Sequence, residues 1–312
     1  MSRNRLRSAL TAAAAARLSY ALLGSRPPGG EKTWTRTNHR GEPITLLEGP
    51  AVAIGGVTGA LLAGADREQL AMAVAGAGAA VLGGYDDLAG DGSSRGFRGH
   101  LGALRKGEVT TGAVKIVGIG ATGLAAALIA GRPGEPGSGG VAAVADAVID
   151  AGLVAGMANL MNLFDLRPGR AIKVAIGTGG LLAALPGRAG ESAATPLAAA
   201  VALLPDDLGE RSMLGDAGAN ALGAMLGVAA TKLPRPARVA ALAAIAGLTG
   251  ASEVVSFTRV IERTPPLRWL DMLGRRPAPE PAPAPATAQG QVPADTDQAP
   301  AAPEPEMTAG AR

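Results

Sequence analysis

Residues 158–173 read ANLMNLFDLRPGRAIK. An apolar run over 141–157 leads into Asn159 and Asn162, three apart, then Asp165, then Arg167-Pro168-Gly169-Arg170; a second apolar run starts at residue 171. Carboxamides, a carboxylate and two guanidiniums between two oily segments admit two readings. The stretch is an ordinary polar loop, or it is a phosphate-handling corner at a membrane surface. In either case, if the flanking runs are membrane helices, the fold is an alternation of apolar helices and surface loops.

Composition favours the membrane alternative. The chain has 312 residues, a mean hydropathy of +0.23 and only 2% aromatic residues. The apolar content is carried by Ala, Gly, Val and Leu, and small residues let helix backbones approach closely in lipid, where packing and hydrogen bonds drive association. Apolar segments run over about 8–24, 50–64, 69–84, 112–130, 141–157, 171–186, 194–204, 215–230 and 237–256. The expected fold class is therefore all-α, a polytopic integral membrane protein with about nine, or ten, transmembrane helices. Several runs are shorter than the ~20 residues of a perpendicular span, and 194–204 is expected to extend or to be re-entrant. The first run follows MSRNRLR and resembles a signal peptide, but its Ala-rich centre without a clear cleavage site favours a retained helix.

The loops divide by charge. Those at 25–49, 86–111, 158–170, 205–214 and 257–276 hold sixteen Lys or Arg, while those at 65–68, 131–140, 187–193 and 231–236 hold five. Cytoplasmic loops carry the positive excess, so the first set is expected inside, with the N-terminus outside and the C-terminal tail inside. Arg3, Arg5 and Arg7 run against that placement of the N-terminus. Residues 277–312 form a Pro/Ala-rich tail with five acids and one arginine, whose composition cannot bury a core and reads as disordered. Residues 1–276 are left as the membrane domain.

Some chemistry is excluded outright. There is no cysteine, so disulfides, thiolate metal sites and cysteine nucleophiles are absent. His39 and His100 have no zinc-type spacing. The remaining polar clusters all fall in loops of the first set. Gly83-Gly84-Tyr85-Asp86-Asp87 closes the third run; adjacent carboxylates repel, raise at least one pKa and attract a divalent cation, or they are solvated acids at a helix end. Lys115 lies one turn inside the fourth run, either snorkelling to the interface or binding phosphate. Asp216, in Met213-Leu214-Gly215-Asp216-Ala217-Gly218, is a helix N-cap or a carboxylate that flanking glycines let approach a ligand. Asp206 and Asp207 read as loop acids. Asp146 and Asp150, four apart on one face, and Glu253 could line an ion path in a transporter, or lie hydrated near the outer helix end.

Taken in order, four blocks resemble the polyprenyl-phosphate N-acetylhexosaminyl-1-phosphate transferases, the superfamily that includes the translocase making the first lipid-linked peptidoglycan precursor. Gly-Tyr-Asp86-Asp87 is similar to the family's aspartate pair. Arg95-Gly-Phe-Arg-Gly-His100 with Thr-Thr-Gly-Ala-Val-Lys115 resembles the following cytoplasmic loop. Asn159-Leu-Met-Asn162-Leu-Phe-Asp165 resembles the Asn-x-x-Asn-x-x-Asp block, and Met-Leu-Gly-Asp216-Ala-Gly-Ala-Asn-Ala-Leu-Gly the Gly-Asp-x-Gly segment. The likeness spans about residues 40–256.

The resemblance implies a magnesium-dependent transfer at the cytoplasmic face of the inner membrane. A polyprenyl phosphate attacks a nucleotide-sugar, UDP-linked in the family, to give a lipid-pyrophosphoryl sugar for envelope glycans. Asp216 with Asp87 would hold Mg²⁺. Asp86 and Asp87 would orient or deprotonate the lipid phosphate. Asn159, Asn162 and Asp165 would bind the donor, and Lys115 a phosphate. Membrane lipid and a second copy of the chain are further expected partners; nucleic acid is not. The chain also departs from the family pattern. Pro168 stands where a second acid is usual, Ala219 replaces a serine, and the late loop around 255–263 lacks a histidine cluster. Arg167 and Arg170, held by the Pro-Gly turn, are expected to clamp the donor pyrophosphate in place of those histidines, or else to anchor the helix end to anionic lipid. A catalytically silent relative that binds lipid phosphate or scaffolds envelope enzymes is the alternative function, and a transporter the third.

Overall fold

The computed structural model describes residues 3–64, 66–90, 105–131, 140–185 and 188–277. The stretch Arg95–His100 and the tail beyond residue 277 therefore lie outside the described residues. Each of the nine apolar runs centres on one of the twelve helices found among the described residues. In chain order these are α1 (Arg3–Ser25), a one-turn α2 (Glu31–Trp34), α3 (Glu48–Ala63), α4 (Arg67–Ala89), α5 (Thr111–Ala130), α6 (Val141–Phe164), α7 (Arg170–Ala184), α8 (Ala189–Leu208), α9 (Gly215–Ala230), α10 (Arg235–Ser252), α11 (Phe257–Arg263) and α12 (Pro265–Met272). Sequence signals set several of the starts: the side chains of Asp66 and Thr110 accept the backbone N–H of Gln69 at 2.9 Å and of Ala113 at 3.1 Å.

One run extends, as expected, and another breaks. The run at 194–204 extends to a full 20-residue helix, α8, despite Pro196 and Pro205 within it. The run at 237–256 breaks after Ser252, and α10 and α11 meet at 93°. A small antiparallel hairpin also interrupts the all-α pattern, β1 (Thr35–Thr37) with β2 (Pro43–Thr45), in register Arg36↔Ile44. Its edge is tied to the segment entering α9, for the Thr45 N–H reaches Arg211 O at 3.3 Å and Met213 N–H reaches Thr45 O at 3.0 Å.

Helix α9 is the centre of the bundle. Almost every residue from Gly215 to Ala230 is buried, against α3, α4, α6 and α8. Glycine makes this possible. A Cβ at Gly227 would stand 2.5 Å from Val154 Cα, and one at Gly223 would stand 2.7 Å from Ala158 Cα, so α6 and α9 touch backbone to backbone. By contrast α10 is peripheral, burying only Arg238 and Ile245 and resting on α6.

Among the described residues two helices, α5 and α6, are long and apolar enough to cross a membrane, and a third span arises if the bent pair α10–α11 counts as one. The others fall short for physical reasons. At 1.5 Å per residue, the 16 residues of α3 and of α9 reach about 24 Å, under the roughly 30 Å of a hydrocarbon core. Helix α4 carries Arg67 and Glu68 at one end and Asp86 and Asp87 at the other.

Candidate functional site

The end of α4, the start of α5, the end of α6 and the start of α9 meet at one end of the bundle. Here Lys115 lies between two carboxylates. Its Nζ is 2.6 Å from Asp86 Oδ2 and also pairs directly with Asp216. These side chains come from three helices and lie at most about a quarter exposed. Burial alone would raise the Asp86 carboxyl, but the Lys115 ammonium and the Thr111 hydroxyl reverse that and hold it below the ordinary value.

Asp87 plays a different part from its neighbour. Helix α9 has Leu214 at its N-cap position and no side-chain cap of its own. The cap comes from α4, because Asp87 Oδ1 accepts the Asp216 N–H at 3.0 Å and Oδ2 accepts the Ala217 N–H at 2.9 Å. Gly83 and Gly215 let the two backbones come this close; Gly215, at φ +59°, would set a Cβ 3.0 Å from Asp87 Oδ2. Burial, and then the Asp216 charge, push the Asp87 carboxyl up to about 7. Asp87 and Asp216, expected to hold a metal together, meet here through the Asp87 cap on the start of α9. Both Asp87 oxygens are occupied by helix N–H groups, and the carboxylates that share a cation in this structure are Asp86 and Asp216. Among the described residues no group of three or more acidic or histidine side chains is arranged as metal ligands.

Beside this cluster lies a second set of acids. Asp165 terminates α6 and is 7% exposed. It accepts the Gly215 N–H, while its Oδ2 is buried with no hydrogen-bond partner among the described residues. Asp207 is 2% exposed, accepts the Gly169 N–H and likewise leaves Oδ2 without a partner. Glu48, fully buried, accepts the Ser212 hydroxyl at 2.6 Å and leaves Oε1 bare. Burial drives all three carboxyls upward, Asp207 to about 7, and mutual repulsion adds to the rise for Asp165 and Glu48. The reading of Asp206 and Asp207 as loop acids is corrected for both: they lie in the last turn of α8 and are buried. Asp206 is ion-paired with Arg17 and, at 2.8 Å, with Arg211.

Asp165 and Asp207 line a cavity of about 190 Å³ whose apolar walls include Ile44, Leu166, Pro168 and Met213. Asn159 and Asn162 do not line it. Asn159 donates to Thr249 Oγ1 of α10 at 3.4 Å, and Asn162 is half-buried one turn before Asp165.

The turn at 167–170 forms as its residues dictate. Arg170 N–H closes onto Arg167 O at 3.2 Å, and Gly169 sits at φ +68°, the geometry of a type II turn with Pro at its second position. The arginines it carries diverge. Arg170 is 3% exposed and forks onto Asp271, Nε to Oδ1 at 2.7 Å and Nη2 to Oδ2 at 3.1 Å. Its Nη1 donates to Thr258 of α11 at 2.9 Å, so Arg170 is committed to α11 and α12; of the two arginines expected to form a clamp, Arg167 lines the cavity. Asp271, 101 residues away in sequence, carried no local signal of this pairing.

Asp146 and Asp150 are buried and turn toward arginines. Fully buried Arg238 reaches Asp150 Oδ1 at 2.5 Å and Asp146 Oδ1 at 3.0 Å. No protein-family model matches this chain, and no curated protein matches its sequence.

Proposed function

We propose that the chain is a membrane-embedded sugar-1-phosphate transferase, as its motif blocks suggest. The reaction joins a polyprenyl phosphate to a nucleotide-linked sugar at the cytoplasmic face of the inner membrane. One observation carries this reading: Asp86, Lys115 and Asp216, from three blocks spread over 130 residues, form a single charge cluster capped by Asp87. Leucines and valines exposed on the outer faces of α1, α5 and α6, such as Leu18, Val117, Leu128 and Val148, support immersion in lipid. On this reading all nine apolar helices lie in the membrane, the shorter ones within the bundle, with the lysine- and arginine-rich loops inside.

In the reaction an oxygen of the lipid phosphate attacks the donor's β-phosphorus. The bond from that phosphorus to the bridging oxygen breaks, and the nucleoside monophosphate leaves with the electron pair. Phosphoryl transfer asks for positioning and charge stabilisation more than covalent help. Lys115 supplies an ammonium to a phosphate oxygen once it leaves one of its carboxylates. Asp87 holds the first turn of α9, and with it Asp216, in place through the Asp216 and Ala217 N–H groups. Asp86, kept ionised, receives the ammonium back. The donor set fits magnesium, since Asp86 and Asp216 already share a cation and Mg²⁺ is commonly held by one or two carboxylates plus substrate phosphates. When bound there it would neutralise charge on the pyrophosphate. The test is purified protein with polyprenyl phosphate, Mg²⁺ and a panel of nucleotide sugars, assayed for released monophosphate; no release with any donor would sink the transferase reading.

A further inference from the structure

We propose that α11 and α12 form a foot that rests on an anionic lipid surface, with Trp269, Leu270 and Leu273 in the headgroup boundary and Arg259, Arg263 and Arg268 beside the lipid phosphates. Helix α12 is amphipathic with its polarity reversed. Its one buried side chain is an acid, Asp271, 8% exposed, whereas Trp269 and Leu273, two residues to either side, are 65% and 54% exposed. At about 100° per residue both lie roughly 160° around the helix from Asp271. A helix at an aqueous surface turns its apolar face inward. Here the inward face is held by polar contacts instead. Arg170 and Arg275 both pair with the Asp271 carboxylate, Lys173 Nζ donates to Asp271 O at 2.6 Å, and Arg275 Nε donates to Pro168 O at 3.0 Å. The tryptophan side is thereby presented outward.

A contiguous apolar face marks a place of contact, and three observations choose lipid as what meets it. The face continues beyond α12, for Val260 of α11 and Val239 and Leu248 of α10 are exposed as well. The bend between α10 and α11 is 93°, so with α10 crossing the membrane, α11 runs along its surface. Charge agrees with this placement. From Phe257 to Leu270 the arginines Arg259, Arg263 and Arg268 are exposed, and the only acid is Glu262. Arginine beside exposed Trp and Leu is the composition of helices that lie in a membrane interface, and anionic headgroups attract such arginines. A second copy of the chain in a two-fold pair would bring the same arginines against one another, and like charges set face to face are repelled. The inference rests on the membrane placement of α10 and not on the transfer chemistry.

The experiment uses the full chain at one copy per nanodisc, in phosphatidylcholine alone or with one part in four of phosphatidylglycerol. The sequence holds two tryptophans, so Trp34→Phe leaves Trp269 as the sole emitter. Its fluorescence should be quenched by phosphatidylcholine brominated high on the acyl chains and shielded from acrylamide in the water. Phosphatidylglycerol should slow hydrogen exchange over residues 257–273 by up to about a hundredfold, three arginines at roughly fivefold each. That comparison of lipids needs no variant to fold. Arg259→Gln, Arg263→Gln and Arg268→Gln combined should abolish the difference between the two lipids. Trp269 open to acrylamide and untouched by the brominated lipid would overturn the proposal. So would shielding that appears only with two copies per disc, which makes the face a contact between chains. Equal exchange in both lipids would remove the anionic surface as the partner. Release of monophosphate from nucleotide sugars bears on none of these readings, so this inference and the transferase reading fail separately.

Discussion

The two ends of the helix bundle treat charge in opposite ways. At the end formed by the starts of α6 and α10, the charges are matched and closed in: Arg238 forks between Asp146 and Asp150. At the start of α4, Glu68 accepts the Ser192 hydroxyl and faces Lys232 at 3.4 Å. At the other end, 15 residues along α6 or roughly 22 Å at 1.5 Å per residue, one ammonium is divided between two acids, and three buried carboxylates each keep an oxygen with no partner among the described residues. Both ends are built from the same small-residue helices. The difference is that the first spends its charges on holding helices together, while the second retains unsatisfied capacity. Both ends keep some buried atoms without a partner among the described residues, Arg238 Nε at the first, but only the second keeps them on carboxylates, and an unpartnered buried group costs stability.

The largest expected effect falls at the open end. Asp216→Asn removes the acid that shares Lys115, and transfer should fall by at least about a hundredfold, the scale of losing one preorganised electrostatic contact. Thermal unfolding in detergent should change little, because the Asp87 cap uses the backbone N–H of residue 216 rather than its side chain. Full activity in that variant would remove Asp216 from the chemistry.

The closed end should respond in stability instead. Arg238→Met takes the buried arginine from Asp150 and leaves Asp146 only the half-exposed Arg235 at 3.2 Å, and should cost about 3–5 kcal/mol, read from chemical denaturation. Arg238→Met together with Asp146→Leu and Asp150→Leu should recover most of that loss, since replacing a whole buried ion cluster by apolar groups is often neutral. If the single variant lost transfer activity at unchanged stability, the division between the ends would fail.

How far the chain could be read before its structure was known follows from the reach of each signal. Helix positions depend on local apolar runs, and each run at 8–24 through 237–256 centres on a helix. The turn at 167–170 is equally local: Pro168 and Gly169 dictate it. The meeting of Asp86, Lys115, Asp165 and Asp216 was reachable because loops of equal parity share one end. What stayed hidden is pairwise and long-range. Nothing near Arg170 announces Asp271, and nothing near Asp146 announces Arg238. Asp206 and Asp207 are adjacent and both buried, yet one lies in ion pairs and the other keeps an oxygen without a partner among the described residues. That distinction depends on which face of α8 turns toward Gly169, and the sequence LLPDDLGE does not display it. Glu48 carries no local signal for the same reason, as its burial depends on the segment around Ser212.

A pH series sharpens the contrast in a way substitutions at the cluster cannot. The Asp207 carboxyl, raised by burial from 3.8 to about 7, binds its proton more tightly in the folded chain than in the unfolded one. Between about pH 4 and pH 7 the folded state therefore holds more protons, and stability should fall as pH rises through that window and level off above it. At 1.36 kcal/mol per unit the fall is at most roughly 4 kcal/mol. Asp207→Asn should flatten that slope, measured as denaturation midpoints at pH 5 and pH 8. An unchanged slope would mean that Asp207 does not carry the burden assigned to it.

The smallest effect is expected at the turn whose two arginines the structure separates. Arg167 lines the cavity with its side chain 30% exposed, and its nearest acid, Glu262, is 4.0 Å away. Losing one half-solvated guanidinium should weaken nucleotide binding in Arg167→Gln by no more than about 1–2 kcal/mol, at the lower end for a hydrogen bond to a charged group. Arg170→Gln should leave that affinity alone. Its partner Asp271 keeps Arg275 at 2.9 Å, so no carboxylate is stranded, and the loss should appear as faster hydrogen exchange in α12. Affinity lost equally in both variants would restore the two-arginine clamp. Affinity lost in neither, with anionic-lipid dependence altered, would assign the turn to the membrane surface, where polybasic contacts are worth about 1 kcal/mol per arginine. One affinity measurement on each variant thus tells whether charge at the open end is aimed at a ligand or at lipid.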